Sequence, residues 1–78
     1  MRLKDYLEAR GESFQDFAER VGVTSQALRR IAAGGWPRLK VANDIAEASR
    51  AQPAPDGASV TMADLIEAAQ EATGRGAA

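Results

Sequence analysis

The sequence predicts an all-α domain of five helices. Apolar side chains recur at helical spacing in five separate stretches, and no stretch alternates long enough to make a strand of more than a few residues. Glycines and hydroxyl residues also stand where those stretches would stop and start. With 78 residues the chain is one small domain, and a core of that size needs well-capped helices, good packing or a partner subunit. Only Tyr6, Phe14, Phe17 and Trp36 are aromatic, so the core is built mainly from Leu, Ile, Val and Ala.

The first helix is expected over roughly residues 2–10, with Leu3, Tyr6 and Leu7 on one face and Gly11 at the position of a left-handed C-terminal cap. The second begins at Ser13. Ser13-Phe14-Gln15-Asp16 resembles a capping box with Asp in place of the usual Glu, and Phe14, Phe17, Ala18 and Val21 form its apolar stripe up to Gly22. Thr24 is a good N-cap for a third helix that turns Leu28 and Ile31 to the core and carries Ser25, Gln26, Arg29 and Arg30 on its other faces. Gly34-Gly35 ends it. Pro37 suits the first turn of a fourth helix, which runs to about Ser49 and buries Leu39, Ala42, Ile45 and Ala46. Residues 50–59, rich in Pro, Gly and Ala, read as a loop. Thr61-Met62-Ala63-Asp64 opens the last helix, expected over about 61–73, and its stripe of Met62, Leu65, Ile66 and Ala69 is either core or a dimer surface. The domain is thus expected over residues 1–73, with 74–78 as a flexible tail.

Composition excludes several classes of function. There is no cysteine and no histidine, which removes disulfides, thiolate chemistry, ordinary zinc sites and imidazole acid–base work. Asp16, Glu19, Asp44 and Glu47 are scattered helix-surface carboxylates without visible pairing, so no catalytic residue, metal ligand or cofactor site is expected and the chain does not read as an enzyme. No apolar run has the length of a membrane span, and the first residues are charged at once, unlike a signal peptide. The expected location is the cytoplasm, and no small-molecule ligand is evident.

The net charge of −1 argues against a nucleic-acid binder until its distribution is considered. Residues 1–50 hold nine Lys/Arg against seven Asp/Glu, whereas residues 51–78 hold one Arg against four Asp/Glu. Between Val21 and Asn43 there is no acidic residue at all, and that window contains Arg29, Arg30, Arg38 and Lys40.

The second and third helices are joined by little more than Gly22-Val23. A turn that short, with a glycine, makes two helices cross steeply, which is the geometry of a helix-turn-helix spanning Ser13 to Ala33. Ala18 is the small residue such a crossing needs, Val23 fills the corner beneath the turn, and Leu28 packs back from the following helix.

Phe17-Ala18, Gly22-Val23-Thr24, Leu28 and Gly34 together resemble the helix-turn-helix of the phage Cro and Xre-type repressors. Leu3-Lys4-Asp5-Tyr6 is similar to the start of Cro-like proteins, and the segment from Gly57 to Leu65 to the closing part of Cro-like prophage regulators. The resemblance covers about residues 1–70, most loosely between Arg50 and Ser59, and rests on the five-helix order more than on any single match. It implies a lambda-repressor-like DNA-binding fold whose third helix enters the major groove. By position, Thr24, Ser25, Gln26, Arg29 and Arg30 then read base edges, with Gln26 and Arg29 the main readers about one turn apart. Ser13 and Gln15 at the start of the second helix, with Arg38 and Lys40 beyond the glycine pair, then anchor phosphates. Phe14 departs from the pattern, because a polar residue commonly stands there. Trp36 reads as a staple over the start of the fourth helix, with a place against sugar-phosphate as its other use.

The expected function is a sequence-specific double-stranded DNA-binding transcriptional regulator, a repressor acting as a homodimer on a near-palindromic operator. The alternative is an antitoxin or adaptor-type interaction module with weak DNA binding, whose acidic last helix engages a protein partner.

Overall fold

The computed structural model describes the backbone of residues 1–77 and the side chains of residues 1–72. The helices are α1 (Leu3–Arg10), α2 (Phe14–Val21), α3 (Ser25–Ala32), α4 (Leu39–Ala51) and α5 (Met62–Ala77), with no strand among the described residues. The all-α, five-helix architecture read from the sequence is therefore the one the chain adopts.

Hydroxyl caps set three of the starts. Ser13 Oγ accepts the Asp16 N–H at 3.1 Å, and Thr24 Oγ1 accepts the Ala27 N–H at 3.1 Å. At α5 the exchange is reciprocal: Asp64 N–H donates to Thr61 Oγ1 at 3.1 Å while Asp64 Oδ2 accepts the Thr61 N–H at 3.0 Å. The same carboxylate receives the Met1 ammonium at 2.8 Å, tying the start of the chain to the start of α5. Gly22 ends α2 at φ +92°, a conformation that costs a residue with a Cβ about 1 kcal/mol or more, and α3 begins after only two further residues.

The core sits where all five helices meet. Tyr6, Phe17, Leu28, Ile45 and Val60 are fully buried, and the Tyr6 and Phe17 rings lie 5.4 Å apart in a tilted pair. Helix α2 packs on α3 and α4, and α5 closes the assembly against α3 and α4. Ala18, which the sequence assigned to the approach of α2 to α3, is nearly inaccessible. The segment between α4 and α5 is bound into the fold. Buried Ser49 accepts the Val60 N–H at 3.0 Å, Ala54 is buried, and the Tyr6 hydroxyl donates to the Gln52 carbonyl at 2.5 Å.

Several boundaries and burials differ from the sequence reading. Helix α4 starts at Leu39, one residue after Arg38 and two after Pro37, and runs to Ala51, so the loop is shorter than residues 50–59 at its front. Leu39, expected in the core, is 75% exposed: it lies in the first turn of α4, and the inward face is set by Ala42, Ile45, Ala46 and Ser49. Met62, Leu65 and Ala69 turn inward as core, whereas Ile66 is 38% exposed. Helix α5 continues through Gly74 and Gly76 to Ala77 instead of stopping near residue 73, since a glycine weakens a helix interior by about 1 kcal/mol without terminating it. Of the expected flexible tail, Ala78 lies outside the described residues.

Candidate nucleic-acid interface

Helix α3 is held by its inner face and leaves its outer face open. Leu28 and Ile31 are buried, while Thr24, Gln26, Arg29 and Arg30 are exposed and Ser25 is half-buried. The residues that the sequence assigns to base reading therefore lie together along one short helix. Their hydrogen-bonding capacity is largely unused. Ser25, Gln26 and Arg30 make no side-chain hydrogen bond or ion pair among the described residues, and Thr24 Oγ1 is occupied only as an acceptor, leaving its O–H to donate.

The Arg29 guanidinium carbon lies 5.5 Å from the centroid of the Phe14 ring. Phe14 stands at the first position of α2 and is half-buried against the core, so its ring is fixed from below. Arg30 points to a separate groove between α3 and α4. Val23, Ala27, Ile31 and Val41 line it, with exposed Trp36, Arg30 and Arg38 beside them. The sequence placed Trp36 as a staple over the start of α4; it does line this groove with Pro37, yet remains 54% exposed.

The loop that carries Trp36 and Arg38 is backed by α5. Gly34 has φ +107°, and a Cβ there would meet the Ala72 Cβ at 2.6 Å and the Ala68 carbonyl oxygen at 3.3 Å. Both the dihedral angle and the close approach require glycine at this position.

The expected phosphate anchors differ in availability. Gln15 is exposed and unpartnered, and Ser13 is engaged as an N-cap acceptor with its O–H free to donate. Arg38 is exposed at the N-cap of α4 and makes no ion pair, and no side chain caps that helix. Lys40 is different: its ammonium donates to Asp44 at 2.9 Å, and that carboxylate holds the lysine above its ordinary pKa. Asp44 stands just past the acid-free window, and its i, i+4 spacing from Lys40 was the legible signal for the pair.

Arg10 and Arg20 are committed to the fold, whereas Arg2 reaches the exposed Glu71 at 2.9 Å and Arg50 is exposed with no ion pair among the described residues. Arg20 Nη1 donates to both Glu12 oxygens at 2.6 and 2.8 Å, and its Nη2 donates to the Ala48 carbonyl at 2.8 Å. Arg10 Nε also donates to Glu12, at 3.1 Å, with its remaining groups on Gln52 and the Pro53 carbonyl. This cluster joins α1, α2 and the end of α4 and presents little free donor capacity.

Among the described residues, no group of three or more His, Cys, Asp or Glu side chains is placed to hold a metal ion, and no helix is long and apolar enough to cross a membrane. Comparison of the chain with protein-family models, with curated proteins and with solved structures returned no match.

Proposed function

We propose that the chain is a sequence-specific double-stranded DNA-binding regulator, with α2 and α3 as a helix-turn-helix and α3 as the helix that enters the major groove. The observation that carries this reading is the outer face of α3: Ser25, Gln26 and Arg29 lie side by side with their in-plane donors and acceptors uncommitted, within a stretch that contains no acid. Glutamine pairs bidentately with adenine and arginine with guanine, so the face has the chemistry of direct base readout. The likeness of the motif residues to Cro and Xre-type repressors supports the same reading.

Arg38, Gln15 and the Ser13 hydroxyl serve as phosphate contacts at the rim, with Lys40 as a weaker one because Asp44 already neutralises it. One such domain reads only a few base pairs, so the regulator works as a homodimer on two half-sites about one helical turn apart. Repression by occupancy needs no catalytic group, cofactor or small-molecule effector, and the protein acts in the cytoplasm where its DNA is.

Titration onto duplex DNA from upstream of its own coding sequence, at two salt concentrations, tests the proposal. The expected outcome is binding at least about a thousandfold tighter than to random duplex, with affinity falling steeply as salt rises. Equal and negligible binding to both duplexes overturns it and favours an adaptor that engages a protein through the acidic α5.

A further inference from the structure

Two arginine guanidiniums lie over phenylalanine rings of α2, and they differ in one respect. Arg20 lies over Phe17, its guanidinium carbon 5.0 Å from the ring centroid, with its donors directed to Glu12 and the Ala48 carbonyl. Arg29 lies over Phe14 at 5.5 Å with no carboxylate or carbonyl on its donors. A ring attracts a guanidinium through its quadrupole and offers no lone-pair acceptor, whereas a carboxylate accepts its N–H groups in hydrogen bonds. The Phe14 contact thus restricts Arg29 without using the groups that would read a base.

We infer that Phe14 is a specificity-determining positioning residue: its ring holds the Arg29 guanidinium at one base pair, so that the preference at that pair depends on Phe14 although Phe14 touches no base. The inference rests on the DNA-reading function proposed above. An exposed arginine samples many rotamers, and the conformers that miss the base dilute its preference. Phe14 is suited to narrow them because it belongs to a different helix and its ring is packed against the core. A polar side chain at this position would compete for the Arg29 donors, which is the physical reason an aromatic residue serves there.

The test is selection from a random duplex library with wild type, Phe14→Leu, Phe14→Tyr, Arg29→Ala and the Phe14→Leu/Arg29→Ala double variant. Phe14→Leu is expected to lose about two- to fivefold of preference, the scale of an exposed cation–π contact, at the base pair whose preference Arg29→Ala abolishes, and nothing elsewhere. Phe14→Tyr keeps the ring and the preference, and the double variant equals Arg29→Ala. In parallel, the ring-current shift of the Arg29 side-chain protons by NMR is present in wild type and Phe14→Tyr and lost in Phe14→Leu. The inference is overturned by an unchanged preference in Phe14→Leu, by an even loss at all positions that follows thermal stability, or by failure of tyrosine to retain the preference. A wild type that selects no motif while Arg29 still carries the ring-current shift instead marks failure of the DNA reading itself.

Discussion

Five arginines of this protein divide into two groups by what their donors touch. Arg10 and Arg20 converge on Glu12 and on the Gln52, Pro53 and Ala48 oxygens, and each also lies over an aromatic ring of the core. Among the described residues, Arg29, Arg30 and Arg38 have neither carboxylates nor carbonyls on their donors. Contact with a ring alone does not separate the groups, since Arg29 also lies over one. What separates them is the supply of acceptors: the fold satisfies the first group internally and leaves the second to be satisfied by an acceptor from outside. A duplex brings acceptors at both phosphates and base edges, so under the proposed function the open group is the one that would meet it, while the closed group is a joint of the scaffold.

The largest expected effect lies on the closed side. Glu12→Gln leaves two partly shielded guanidiniums without their counter-charge. Removing one partner of a buried pair costs about 3–5 kcal/mol, and the partial exposure here reduces this to about 2–3 kcal/mol. Thermal denaturation followed by circular dichroism should show a fall of about 10–20 °C, with base preference intact below the transition. Next comes the open side. Arg29→Ala should weaken binding to the selected site by about 1–3 kcal/mol and relax preference at one position, while thermal stability moves by no more than about 0.5–1 kcal/mol. If Arg29→Ala destabilises as much as Glu12→Gln, the division between the two groups fails.

Those two groups were unequally legible in the sequence. The fold was readable because its signals are local. Caps at Ser13, Thr24 and Thr61, glycine stops at Gly11 and Gly22, and helical periodicity each operate within a few residues, and the helices form where those signals lie. The exposed polar face of α3 was legible for the same reason, as one turn of one helix. Partners distant in sequence were not. Nothing in the spacing of Arg10, Glu12 and Arg20 says that all three meet beside Gln52 and Ala48, because that meeting depends on how α4 docks. Phe14 read as a misfit until the packing of α2 on α3 brought Arg29 over its ring. Leu39 was misplaced because periodicity alone does not reveal which side of a first helical turn a neighbour covers.

Lys40 stands between the groups, since it is 87% exposed like the open arginines but paired like the closed ones. Arg38→Ala should therefore weaken binding to all sequences more than Lys40→Ala does. Asp44→Asn should strengthen binding by about 0.5 kcal/mol, evenly across sequences, because it removes a negative charge near the phosphates and frees an ammonium. It should also steepen the salt dependence by up to about one phosphate contact. Its effect on thermal stability is expected to be negligible, because the pair is solvent-exposed and screened. Titrations at several salt concentrations separate this from any base-specific change.

The same division by partner applies to carboxylates, and at Asp64 the effect is read through its change with pH. Burial pushes its pKa up, but the Met1 ammonium and the Thr61 N–H and hydroxyl all favour the ionised form and bring it below the ordinary value of 3.8. A carboxylate whose pKa is depressed on folding contributes stability that is fully present above its unfolded pKa and is lost as pH falls through the folded one. Stability should therefore decline from about pH 5 downwards, and the Asp64 share of that decline continues below 3.8. Asp64→Asn can still accept the Thr61 N–H but carries no charge to pair with the ammonium, so at neutral pH it should cost about 0.5–1 kcal/mol, a few degrees in thermal midpoint. The two midpoint curves should then converge as pH falls, because protonation of wild-type Asp64 removes the same charge that the substitution removes. Midpoints that stay a constant distance apart from pH 7 to pH 3 would place the loss in capping geometry rather than in the ion pair, and Asp64 would belong with the neutral caps at Ser13 and Thr24.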